Sequence, residues 1–84
     1  MPTDFTRFEL NESFVGCFAL IEFAADCGAK PLYWVKLTKL ISEGVFEAIL
    51  DDAPAHEIGY EQGSKLQVEK SEFKRMLNDN YIEF

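Results

Sequence analysis

Positive charge is scarce in this chain, and the scarcity is uneven. Eight Lys and Arg stand against fifteen Asp and Glu in 84 residues, a net charge of −7. From Leu40 to Ser64 there are six acids and no Lys or Arg at all. Binding nucleic acid through its phosphates needs the opposite balance, so direct nucleic-acid binding is not expected. Histidine is scarcer still: His56 is the only one, so any imidazole chemistry rests on it. Two cysteines, Cys17 and Cys27, form no CxxC pair and no disulfide framework, and read as small hydrophobes in a reducing compartment. The longest apolar run, residues 14–25, contains Glu22 and is too short to span a bilayer. The first residues carry Asp4, Glu9 and Glu12 rather than the basic start of a signal peptide. A cytoplasmic location follows as the expectation.

What is present is a globular composition, 48% hydrophobic with eight Phe, three Tyr and one Trp. A chain this short buries only about 60–65% of its unfolded surface. Each buried aromatic removes roughly 150–250 Å² from water, so a few suffice for a core. Residues 1–84 are read as a single domain.

The hairpin at residues 31–54 organises the rest. Tyr33, Val35 and Leu37 alternate with Trp34, Lys36 and Thr38, the period of a half-buried strand. Ser42-Glu43-Gly44 then turns the chain, and Phe46, Ala48 and Leu50 return facing inward. Residues 51–63 have no clean period and read as a long loop, the kind that carries binding surfaces. Leu66 and Val68 mark another alternating strand. Ser71 followed by Glu72 fits a helix start, with Phe73, Met76 and Leu77 on one face of a helix over 72–78. The run 14–24 fits both periods: Phe14, Phe18 and Ile21 suit a helix capped by Asn11 or Ser13, while alternation puts Cys17, Ala19, Ile21 and Phe23 on one strand face. Strand is preferred, because a helix apolar on all sides is out of place in so small a protein. Residues 3–10 read as an edge strand, and residues 81–84 extend a sheet edge. The expected fold is therefore α+β: an antiparallel sheet of four to five strands, curled or barrel-like, with one short C-terminal helix. An exposed edge also admits a homodimer.

The order of Tyr33-Trp34-Val35, a turn at Gly44, a strand from Phe46, Asp51-Asp52 ahead of Pro54, Gly63 and a final alternating strand running to Ser71-Glu72-Phe73 resembles the YegJ-like bacterial domain of unknown function. The resemblance covers about residues 18–73. Asp52-Ala53-Pro54 stands where that family has Asn-x-Pro, Gly63-Ser64 where it has Gly-Asp, and Pro31-Leu32-Tyr33 where it has a Glu. It implies a small, mostly β fold and no particular chemistry.

Glu43, Glu47, Asp51, Asp52, Glu57 and Glu61 form an acidic belt beside an aromatic strand, and Trp34 is a residue type enriched at interfaces. The belt points to a non-catalytic protein-binding domain of accessory, inhibitor or immunity type, engaging a basic partner. A plain solubilising role is the competing explanation of the charge. A sharper alternative is a phage or mobile-element inhibitor that mimics DNA, since carboxylates about 6–7 Å apart along a strand echo phosphate spacing. A second alternative is a small metal- or thiol-dependent enzyme using His56 with Asp51, Asp52 or Cys27. The segment has Tyr60 where a helical H-E-x-x-H zinc motif has its second His, and the expectation is no enzyme, no metal and no cofactor.

Overall fold

The computed structural model describes residue 5 and residues 9–84. Five strands, β1 (Phe18–Glu22), β2 (Leu32–Ser42), β3 (Val45–Leu50), β4 (Lys65–Glu69) and β5 (Phe73–Leu77), form one antiparallel sheet in the order β4-β3-β2-β1-β5. The only helical elements among the described residues are short 3-10 turns, including Glu12–Phe14 and Lys70–Glu72. The fold is all-β, which corrects the α+β expectation. The helix expected over 72–78 is strand β5, and the edge strand expected over 3–10 falls largely outside the described residues. Among the described residues no helix is long and apolar enough to cross a membrane.

The error over β5 has a local cause. Ile21 pairs with Phe73 and Leu20 with Arg75, so Lys74 is an extra residue in the ladder. Such a bulge resets the strand's parity. Phe73 and Met76 therefore both face the core, 4% and 0% exposed, at a spacing of three that imitates a helix face. Thr38 plays the same part in β2, where Leu37 pairs with Ala48 and Lys39 with Glu47. A further shift lies between Leu40 and Ser42.

These bulges add twist, and the connections require it. β4 and β5 lie at opposite edges of the sheet yet are joined by three residues. In a flat five-stranded sheet the edges stand about 19 Å apart, whereas a 3-10 turn of this length advances about 8 Å. The sheet therefore curls until its edges approach at that end. It stays open, with no ladder between β4 and β5, so it is not the closed barrel that a full curl would give.

The concave side is the core. Ala19, Ile21, Val35, Leu37, Phe46, Ala48, Val68, Phe73 and Met76 fill it, and the rings of Phe46 and Phe73 meet at 6.4 Å between centroids. Residues outside the strands close what a helix would otherwise cover: Phe5, Leu10, Phe23, Ala25 and Ile58 are all buried in the same cluster. β1 is shorter than the 14–24 run, because Asn11 caps the 3-10 turn at its start by accepting the Ser13 N–H at 2.9 Å. Its other face is apolar too, with Phe18 and Leu20 7% and 8% exposed. Both faces of this central strand are thus covered, as a continuous hydrophobic run requires. The tight β2–β3 turn depends on Gly44, at φ 71, where a Cβ would stand 2.9 Å from Cδ of Lys70.

The last residues fold back on β5. Leu77 bridges Glu83, the Phe84 N–H donates to the Met76 carbonyl at 3.1 Å, and Tyr81 stacks on Phe18 at 5.2 Å. Arg75 grips Glu83 with two hydrogen bonds of 2.7 and 3.0 Å, and those bonds hold the Glu83 carboxyl below its ordinary value. A depressed folded-state value favours the docked tail above the free carboxyl's range and releases it as pH falls through the folded value. Amide exchange at Phe84 should accordingly accelerate in acid below the ordinary carboxylate range. Arg75→Gln should shift that release to higher pH, and identical acid profiles for the two proteins would refute the coupling.

Candidate functional site

Strand β3 delivers Leu50 to the core and then releases the chain into the loop 51–64. The loop closes on itself: the Leu50 N–H donates to the Ser64 carbonyl at 3.0 Å and the Gly63 N–H to the Leu50 carbonyl at 2.8 Å. The Gln62 side-chain amide donates to the Asp51 carbonyl at 3.0 Å, and the Glu61 N–H to the Ser64 hydroxyl at 2.9 Å. Ile58, buried, anchors the middle. The segment is long but ordered by its own polar groups, as a loop without sheet partners must be.

Tyr33 is its main tether to the sheet. The Tyr33 hydroxyl accepts the N–H groups of Ala55 at 3.0 Å and His56 at 3.2 Å, and lies 3.1 Å from Nδ1 of His56. A phenol oxygen both accepts and donates, and here it gathers three contacts from two loop residues. Alternation along β2 marks Tyr33 only as a residue of the same face as Val35 and Leu37. Its ring does pack on Phe23, at 5.9 Å, but no residue pattern in the chain signals the hydroxyl's role.

The acidic belt is not one row. Asp51, Asp52, Glu57 and Glu61 gather around the loop, and the Asp26 N–H donates to the Glu57 carbonyl at 3.0 Å, which brings a fifth acid alongside. Glu43 sits in the β2–β3 turn at the far end of β3, about 20 Å away along the strand. Glu47 lies between, on the outer face, 3.8 Å from the Lys65 ammonium. Asp52 is half-buried and its carboxylate accepts the Trp34 N–H at 2.8 Å, so it fixes the loop rather than offering its charge. Trp34 itself is half-buried on the outer sheet face, with the Arg75 guanidinium 5.9 Å from its ring. Asp51, Glu57 and Glu61 remain as exposed carboxylates.

The groups required for the enzymatic alternative are not brought together. The His56 ring bonds to Tyr33, not to Asp51, Asp52 or Cys27. Among the described residues no three His, Cys, Asp or Glu side chains are placed to hold a metal ion. Cys17 is buried, and burial, with a smaller effect of Asp79, pushes its thiol up, away from the reactive thiolate. Cys27 is exposed and unpaired.

Tyr60, which stands in the sequence where a zinc motif would have its second His, is an exposed aromatic of this loop. It is 40% exposed, and its ring meets Phe23 edge-on at 6.1 Å. An aromatic between two glycines in an acidic loop is the signal that marks it. The chain matches no family model, no curated protein and no solved structure, so the likeness to the YegJ-like domain rests on the residues quoted for it.

Proposed function

We propose that this chain is a non-catalytic, acidic protein-binding domain of accessory, inhibitor or immunity type, which engages a partner with a basic surface in the cytoplasm. The observation that carries this reading is the loop end of the sheet. There Asp51, Glu57 and Glu61 stand exposed on a segment with no Lys or Arg from Leu40 to Ser64. Unopposed charge of one sign on an ordered loop steers a complementary surface and discriminates against wrong partners. A reducing compartment also suits the two free thiols.

The test is capture from host lysate by the wild type and by an Asp51, Glu57, Glu61→Lys variant. Asp52 is left alone because its carboxylate holds the Trp34 N–H. A basic protein bound by the wild type and lost from the folded variant is expected. Its association rate should fall about tenfold or more between low and physiological salt. Equal capture by both proteins, or an association rate indifferent to salt, would remove the electrostatic reading.

A further inference from the structure

Within the acidic loop lies an open depression of about 620 Å³, a volume inside the roughly 300–1,000 Å³ range of ligand sites. Its lining residues include Pro54, His56, Glu57, Tyr60, Glu61 and Ser64. None of its lining residues is Lys or Arg. The frame is held before anything binds. Tyr33 fixes Ala55 and His56, the Glu57 carboxylate accepts the Gly59 N–H at 3.2 Å, and the Tyr60 ring packs against Phe23 at an interplanar angle of 64°. The carboxylate of Glu61 has no hydrogen-bond or ion-pair partner among the described residues, and its chain neighbour Tyr60, 40% exposed, lines the same depression.

We propose that this depression receives one arginine side chain from a basic segment of the partner, its guanidinium stacked on Tyr60 and forked onto Glu61. The inference rests on the protein-binding reading above and gives it a chemistry. A guanidinium is planar, weakly hydrated and always charged. It can lie on an aromatic face while its edge meets a carboxylate in two parallel hydrogen bonds. Lysine offers a compact, strongly hydrated point charge that satisfies the carboxylate but stacks poorly. Citrulline keeps the shape of arginine without the charge. Glu43 has neither an aromatic neighbour of this kind nor a place in the depression, so it serves as an internal control for charge alone.

The probe is the peptide acetyl-Gly-Arg-Gly-amide at low ionic strength, followed by amide NMR of the full chain, beside the Lys and citrulline peptides. Saturable shifts confined to residues 53–64 are expected, with binding about tenfold weaker for citrulline and severalfold weaker for Lys. Tyr60→Ala and Glu61→Gln should each abolish them. Both positions are exposed, so their spectra outside the loop should match the wild type and show that the fold is kept. Glu43→Gln should bind as the wild type does. No saturable shift, equal binding of Lys and Arg peptides, or equal weakening by Glu43→Gln would each overturn the arginine site. Should the peptide fail while the Asp51, Glu57, Glu61→Lys variant still loses its partner, the site falls and the acidic binding domain stands. Loss of both results removes both.

Discussion

Replacing Phe46 with Ala should remove most of the stability of this protein. Phe46 is the largest fully buried side chain among the described residues, 0% exposed near the start of β3, and its ring meets Phe73 from β5 at 6.4 Å. Truncating a buried Phe to Ala costs about 3–5 kcal/mol, the lost transfer free energy plus the cavity left behind. A domain of this size has only about 4–12 kcal/mol to lose. The cavity here is hard to collapse, because its lining comes from strands fixed by ladders on both sides of β3. Urea unfolding should therefore show a midpoint lower by about 2–4 M. Phe46→Leu, which keeps most of the volume, should cost about 1 kcal/mol. A Phe46→Ala midpoint within 0.5 M of wild type, on the order of 0.5 kcal/mol, would mean that the curled sheet is not held from its concave side.

Tyr33→Phe should act on the loop and leave the sheet intact. The aromatic ring and its packing on Phe23 are retained, while three hydrogen bonds are lost together: two from the N–H groups of Ala55 and His56, and one shared with Nδ1 of His56. Each polar group left without a partner costs about 1–3 kcal/mol when fully buried. These are partly buried and water reaches some of them, so about 1–2 kcal/mol overall is expected. Hydrogen exchange at Ala55 and His56 should quicken about tenfold, with exchange in β2 and β3 little changed. The arginine peptide should bind correspondingly more weakly, because the loop must then be ordered at the moment of binding. Unaltered exchange at those two amides would show that the loop is held by its own internal bonds without Tyr33.

The sheet was readable wherever alternation was undisturbed. Leu32 to Leu37, Phe46 to Leu50 and Leu66 to Val68 present the expected faces, and Gly44 turns where Ser42-Glu43-Gly44 suggested. Where a bulge interrupts the alternation, the period misleads. Lys74, the extra residue in β5, turns a strand into the likeness of a helix, and Ser71-Glu72 belongs to a 3-10 turn rather than to a helix start. A bulge is chosen by the partner strand, and the partner of β5 lies at the other end of the chain, out of reach of any local pattern. The loop's length and acidity were legible, and so was its suitability as a binding surface. Its division into structural and exposed acids was not. That Asp52 bonds to the Trp34 backbone, while Asp51 and Glu61 stay exposed, depends on which atoms the fold brings within 3 Å. The Tyr33 hydroxyl follows the same logic, since it serves two residues more than twenty positions away.

The central place of β1 has a consequence for how the molecule is made. One neighbour, β2, follows closely in the chain, but the other is β5, with Ala19 opposite Met76. On the ribosome, β1 and β2 can pair early, yet the far edge of β1 waits until β5, some fifty residues further on, has emerged. Throughout that interval a strand carrying Phe18, Leu20 and Ile21 offers unpaired backbone groups to any other nascent chain. Translation that stalls before Phe73 therefore yields a sticky fragment rather than a smaller stable sheet. The sheet is complete only once β5 has emerged and paired with β1.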